Sequence, residues 1–190
     1  YPQSGQDADT LLRNADIALY RAKDQGRNTY QFYTEGMQEK EMMRLELDKD
    51  LSEALANDEF VLYYQPQLNL DTGEINNVEA LIRWQHPTRG LLSPVEFIPL
   101  AEETGLVVTM GYWVIHQACL ALKHLQEQGH FVGIAVNLSF RQFQDKKLRE
   151  TVARIIKKTQ VDANYLEFEL TETAVMANEQ ETRRCMDEIS

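Results

Sequence analysis

The sequence predicts an α/β fold with a largely parallel sheet, and three observations carry that prediction. Two runs rich in aromatic and β-branched residues, Phe60–Leu68 and Asn77–Trp84, flank the turn Asp71-Thr72-Gly73-Glu74 and read as a hairpin. Beyond it, helical periods alternate with short apolar runs: helices over 95–104, 108–128 and 145–159, strands over Val132–Ser139 and Tyr165–Thr171, and a further helix begun at 178–189. Strands separated by helices are joined by crossovers, and crossovers produce parallel pairing. The 190 residues, 43% of them hydrophobic and 26% charged, suffice for one sizeable core of ordinary globular composition.

Ahead of the hairpin the pattern is helical. Leu11, Leu12, Ala15, Ala18, Leu19 and Ala22 recur at three- and four-residue spacing, so residues 7–24 are expected to form an amphipathic helix stopped by Gly26. Tyr30–Tyr33 is expected as a short strand. Residues 35–57 are expected as a charged helix with an apolar stripe at Met43, Leu47, Leu51, Ala54 and Leu55, its charged Glu35–Lys49 run a solvated face. The loop His86–Pro94 carries Pro and Gly markers. The composition break near residue 35 divides the chain into 1–34, a connector over 35–57, and 58–190.

Charge and cysteine content narrow the function classes. A net charge of −11 argues against an open cationic surface for DNA or RNA, though bound divalent metals can invert the field locally for a small anionic substrate. Cys119 and Cys185 lack metal-ligand spacing and read as reduced structural thiols. His86, His116, His124 and His130 read as surface or core histidines on different elements. No apolar run approaches the roughly 20 residues that span a bilayer and no signal peptide opens the chain, so a soluble, cytoplasmic protein is expected. The start at Tyr1-Pro2-Gln3-Ser4-Gly5 and the stop at Ser190 inside a helical pattern lead to the expectation of a fragment.

Side chains alternate along a strand, which sorts the polar residues onto faces. Glu79, Leu81 and Arg83 oppose Val78, Ala80, Ile82 and Trp84. Asn137 and Ser139 oppose Val136 and Leu138. Glu167, Glu169 and Thr171 oppose Leu166, Phe168 and Leu170. Three strands thus have one apolar face for covering helices and one face with oxygen ligands near its C-terminal end, where barrel active sites lie. Two carboxylates and a carboxamide are hard donors suited to Mg²⁺ or Mn²⁺. Carboxylates on a half-exposed antiparallel sheet would give the same pattern, and periodicity alone leaves both readings open.

The ordered motifs resemble one family closely. Tyr64-Gln65-Pro66, Glu79-Ala80-Leu81-Ile82-Arg83-Trp84, Ser93-Pro94-Val95-Glu96-Phe97-Ile98-Pro99-Leu100-Ala101-Glu102, Val136-Asn137-Leu138-Ser139 and Glu167-Phe168-Glu169-Leu170-Thr171-Glu172-Thr173 together resemble the EAL domain of cyclic di-GMP phosphodiesterases. The tripeptide by itself carries nothing, since Glu53-Ala54-Leu55 repeats it on the connector. Likewise Ala15-Asp16-Ile17-Ala18-Leu19-Tyr20-Arg21-Ala22-Lys23 with Gly26-Arg27-Asn28 resembles the closing helix and strand of a GGDEF domain.

The resemblance implies a TIM-like (β/α) barrel of the EAL type whose first strand is antiparallel, truncated here to its first half, with a GGDEF remnant and connector helix in front. It implies Glu79, Asn137 and Glu169 as ligands of Mg²⁺ or Mn²⁺, Arg83 and Gln65 as substrate-binding residues, and Glu172 as a glutamate orienting an active-site loop and supporting a homodimer. The implied reaction is hydrolysis of cyclic di-GMP to linear pGpG. The family's Asp-Asp pair, lysine and later glutamate would lie past Ser190, so the 190-residue chain alone is expected to be inactive. The alternatives are a degenerate EAL domain that senses cyclic di-GMP or binds a protein partner without catalysis, and a scaffold linking two domains.

Overall fold

The computed structural model describes residues 4–24 and 28–170, so expectations concerning Gly26, Arg27, Thr171, Glu172, Thr173, Cys185 and the helix at 178–189 lie outside the described residues. The chain divides into two compact units, Tyr1–Leu51 and Ser52–Ser190.

In the first unit, helix α1 spans Ala8–Asp24. Asp7 starts it: its carboxylate accepts the Thr10 backbone N–H and hydroxyl, each at 2.8 Å, which satisfies helix-end donors. The buried side of α1 is Asn14, Ala18 and Ala22, while Leu12 and Leu19 are exposed. The expected stripe is therefore rotated, because Asn14 is buried with its amide donating to the Ser4 carbonyl at 2.8 Å. Residues 29–34 are irregular, and the strand expected at Tyr30–Tyr33 is not formed. Helix α2 spans Glu35–Ala54. Leu47, Leu51 and Ala54 are buried, but Met43, expected on the same stripe, is exposed. The helix stops before 57 because Asp58 turns into the left-handed region at φ 54°.

The second unit is built on one sheet. Strands β1 (Phe60–Leu68) and β2 (Ile75–His86) pair antiparallel, as the hairpin predicted. Asn69 closes their connection, its Oδ1 accepting the Asp71 and Thr72 N–H groups. The next short strand, β3 (Gly90–Leu92), lies in the segment expected as a loop and adds antiparallel to the end of β2. Helices α3 (Pro94–Thr104) and α4 (Leu106–Glu127) follow. Ser93 caps α3, with the Glu96 carboxylate reaching back to its N–H at 2.8 Å and Pro94 in the first turn.

Strand β4 (Gly133–Leu138) pairs parallel with β2, and β5 (Leu166–Leu170) pairs parallel with β4. The sheet order is β1-β2-β4-β5. Ser139, expected on the third strand, instead caps a short helix α5 (Phe140–Phe143), its Oγ accepting the Gln142 N–H at 3.1 Å. Helix α6 (Leu148–Thr159) is thus shorter than the predicted 145–159.

One face of this sheet makes the core. Ala80, Ile134, Val136 and Leu138 meet Ile115, Ala118, Cys119 and Leu122 of α4 and Val152 and Ile155 of α6. Helix α4 is long and apolar enough by length and composition to cross a membrane, contrary to the expectation that no run approaches that length. Here its apolar residues supply the core of the second unit. An aromatic group closes the other end of the same face: Phe60 lies 5.8 Å from Trp84, 5.7 Å from Phe97 and 6.0 Å from Trp113, measured between ring centres. Trp84 is fully buried, and its indole N–H donates to Glu59 Oε2 at 2.8 Å. Tyr112 pins α4 to the turn before α6, donating its hydroxyl to Asp145 Oδ2 at 2.7 Å.

Two outcomes follow from this packing. Replacing Trp84 by Ala empties the aromatic group and strands the Glu59 carboxylate; a loss of about 3–5 kcal/mol is expected in denaturant unfolding. A loss under about 1 kcal/mol would show that the group does not hold the sheet end. Burial pushes the Cys119 thiol up to about 11, against a smaller opposing effect of its hydrogen bond to Thr159. Its thiolate fraction at pH 7 is then roughly one in ten thousand. Iodoacetamide should leave the Cys119 peptide unmodified in the native protein and alkylate it in denaturant, as read by mass mapping.

Candidate functional site

The face of the sheet turned away from α4 and α6 is polar, and pairing register decides what meets there. Gln65 lies opposite Glu79 and Gln67 opposite Asn77 across β1 and β2. Asn137 lies opposite Glu169 across β4 and β5. Between β2 and β4, Glu79 is in register with Ala135, two residues before Asn137. That diagonal is short enough for side chains to meet: Asn137 Nδ2 donates to Glu79 Oε1 at 2.6 Å. The fold thus brings Glu79, Asn137 and Glu169 onto one face of three adjacent strands, although they are up to 90 positions apart in the chain.

Gln65 joins them from β1 and is exposed. Arg83 sits four residues past Glu79 on the same face, about 13 Å along the strand. Its guanidinium donates to the Ile82 carbonyl at 2.9 Å and lies 5.7 Å from the centre of the Tyr63 ring. Among the described residues that is the one hydrogen bond made by a guanidinium with five N–H donors. Glu172 lies outside the described residues. The second Glu-Ala-Leu, at 53–55, falls at the end of α2, away from any strand.

Among the described residues the histidines take no part in a metal-binding cluster. His86 is buried beside Trp84, with its Nδ1 3.3 Å from the Thr88 N–H and hydroxyl, while His116 and His124 share α4 rather than lying on separate elements as expected. Among the described residues no group of three His, Cys, Asp or Glu side chains stands ready for a metal. The amide of Asn137 bonds the carboxylate of Glu79 and lies in register opposite Glu169. Two carboxylates with a carboxamide between them, half-exposed at one face, fit a hard cation such as Mg²⁺ or Mn²⁺ and would not fit a soft-metal site.

Sequence reasoning missed two features of this face. The first is a hydrogen-bonded chain beneath the three residues. Asn77 Nδ2 donates to Gln67 Oε1 at 3.0 Å and to Glu167 Oε2 at 3.1 Å, and Gln67 Nε2 reaches Glu169 Oε1 at 3.4 Å. Its signal was present as polar residues at every second position: 65 and 67, 77 and 79, 167 and 169. The second is a cleft of about 720 Å³ beside Asn137. It opens because β2 has two partners on one edge, β4 up to Ala80 and β3 from Trp84 onward, leaving Leu81, Ile82 and Arg83 between them, the first two in the cleft lining. Helices α3 and α4 wall it with Pro94, Ile98, Pro99 and Met110, and among the described residues Glu102 is the one charged side chain lining it. No sequence pattern marks such a gap, since it arises from where two pairings end.

The family model described as the EAL domain matches residues 48–190. The chain is 39% identical over 191 residues to the bifunctional diguanylate cyclase/cyclic di-GMP phosphodiesterase MucR of Pseudomonas aeruginosa, covering 100% of this chain and 28% of that protein. It is 36% identical over 179 residues to the cyclic di-GMP phosphodiesterase PdeR of Escherichia coli, covering 94% of this chain and 27% of that one. Among solved structures it superposes on the PaMucR phosphodiesterase–c-di-GMP complex with a TM-score of 0.73 at 36% identity, covering 76% of this chain and 59% of that one. On the Xanthomonas citri FimX EAL domain in complex with c-diGMP the TM-score is 0.71 at 26% identity, covering 80% and 59%. The chain spans about a quarter of the length of these curated relatives.

The cleft wall rests on a close approach. A Cβ at Gly111 of α4 would collide with the amide of Gln142, which is 1% exposed. Gly111→Ala should therefore force Gln142 out of its seat toward the cleft and lower stability by about 1–3 kcal/mol in thermal or denaturant unfolding. An unchanged midpoint would show that Gln142 repacks freely and does not define the wall.

Proposed function

Because this chain belongs to the EAL domain family, we propose that it forms the first half of the catalytic domain of a metal-dependent cyclic di-GMP phosphodiesterase, a TIM-like barrel in its complete form. The observation that carries this reading is the meeting of Glu79 and Asn137, with Glu169 paired opposite Asn137 on the same face. A module that only bound the dinucleotide would have no need of carboxylates gathered around an amide. The relatives named as cyclic di-GMP phosphodiesterases add support.

In this reading Glu79, Asn137 and Glu169 hold Mg²⁺ or Mn²⁺. When bound, the ions supply an activated water and offset charge on the phosphate oxygens. The Asn137 amide presents its nitrogen to Glu79 here, and a half-turn of that amide would offer its oxygen to a cation instead. Arg83 holds a phosphate through its planar fork of donors, and Gln65, opposite Glu79, lines the substrate groove. The cleft beside Asn137 lies within the size range of small-molecule sites, and its apolar walls suit the face of a guanine base. Glu172 would orient the active-site loop and support a homodimer. Cleavage of one phosphodiester bond gives linear pGpG. In front, the closing helix of a GGDEF domain accounts for the Ala15–Lys23 motif on α1, though the closing strand of that fold is not formed here. A cytoplasmic location completes the proposal.

The test uses the full-length protein with cyclic di-GMP and either ion, product being resolved by chromatography. Linear pGpG should form, stop on chelation and return with Mn²⁺. Glu79→Ala should bring turnover to background, and Arg83→Lys should cost about tenfold or more by losing the bidentate contact. Binding of cyclic di-GMP without product under either ion would replace the enzyme by a sensor. Neither binding nor product would leave a scaffold.

A further inference from the structure

We propose that Gln67 and Asn77 are positioning residues: they hold the Glu169 carboxylate for a metal ion through a directed chain of amide hydrogen bonds that starts at Glu167. The proposal rests on the metal-site reading above and assigns work to residues outside it.

The direction of the chain follows from donor and acceptor types. An ionised carboxylate only accepts, so the atom of Asn77 facing Glu167 Oε2 at 3.1 Å must be its nitrogen. The second N–H on that nitrogen meets Gln67 Oε1 at 3.0 Å. With its oxygen so engaged, Gln67 has its own nitrogen left for Glu169, and Nε2 lies 3.4 Å from Oε1 of that carboxylate. A free amide turns over at little cost. Here, turning either one sets an oxygen against an oxygen. The orientation imposed at Glu167 is therefore passed through two amides to Glu169, where one oxygen receives an N–H and the other is left for a cation. Carboxylates that ligate metals are commonly held by such outer hydrogen bonds.

The seat of Asn77 is shaped for this purpose. Its partner in register on β4 is Gly133, and a Cβ there would stand 2.5 Å from Asn77 Oδ1. Position 133 must lack a side chain for Asn77 to lie as it does. Asn77 Oδ1 is buried and makes no hydrogen bond among the described residues. A buried acceptor left unpaired opposes stability, so an apolar residue would serve packing better. What the asparagine supplies is the orientation of its nitrogen.

The experiment measures Mn²⁺ binding directly, by the electron paramagnetic resonance signal of the free ion, in the full-length protein and its variants. Gln67→Met keeps the side-chain volume and removes the donor. Asn77→Asp keeps the shape and reverses the chain, so that Gln67 turns its oxygen toward Glu169. Each should weaken Mn²⁺ binding about tenfold. The sign for Asn77→Asp is diagnostic, because an added negative charge would by itself tighten binding of a cation. The double variant should bind within about twofold of Gln67→Met alone, since Asn77 acts through Gln67. If Asn77→Asp does not fold, Asn77→Ala leaves Gln67 unanchored and should give a smaller loss in the same direction. Unchanged or tighter binding in the folded variants, or losses that simply multiply, overturns the chain of amides. Glu79→Ala separates the two readings: if the parent binds Mn²⁺ and this variant binds it equally well, the metal site itself is misplaced.

Discussion

Strand β4 is held in parallel register between β2 and β5, and most of what the second unit can do depends on that pairing. Ile134, Ala135 and Val136 are completely buried, so this strand can neither slip nor lift from its neighbours at small cost. A shift of one residue would turn Ile134, Val136 and Leu138 toward the polar side and Asn137 into α4. Burial of three apolar side chains against α4 and α6 thereby fixes the position of one carboxamide. Because Asn137 sits between Glu79 and Glu169, fixing it fixes the centre of the candidate site.

The same pairing explains the cleft. β2 is too long to be covered by β4, which follows it only through Ala80, and β3 takes up the edge again at Trp84. Backbone between two partners leaves a gap, and the gap opens beside Asn137 rather than elsewhere because β4 ends there. The aromatic group around Trp84 and Phe97 anchors the far side, holding α3 against the end of β2. Apolar packing on the helix-covered face therefore fixes the polar residues of the opposite face, while the cleft opens on the helix side between the sheet and α3 and α4.

The polar face is itself layered. Glu79, Asn137 and Glu169 lie nearer the C-terminal strand ends, with Gln67, Asn77 and Glu167 beneath them. The lower layer is a hydrogen-bonded chain in which each amide has one permitted orientation. The upper layer lies within the stretch that the EAL domain model matches. The lower one emerges from the contacts of this chain, and Gly133 makes it sterically possible.

The α/β class, the antiparallel hairpin, the division of strand faces and the residues of the upper layer were all legible from periodicity and ordered motifs. Those features are local: a strand's alternation and a turn's chemistry are written in adjacent residues. Errors fell where a distant partner decides the outcome. Tyr30–Tyr33 has strand composition but does not form a strand, and Gly90–Leu92 reads as loop yet finds the free edge of β2. Ser139 leaves the strand because its hydroxyl caps α5, and Asn14 displaces Leu12 from the buried side of α1 by bonding Ser4. The sequence by itself determined which residue types face the site and in what order along the chain. Only the tertiary structure decided that Asn137 touches Glu79, that Gln67 touches Glu169 and that a cleft opens beside them, because side-chain contact across strands depends on register and on where each pairing stops.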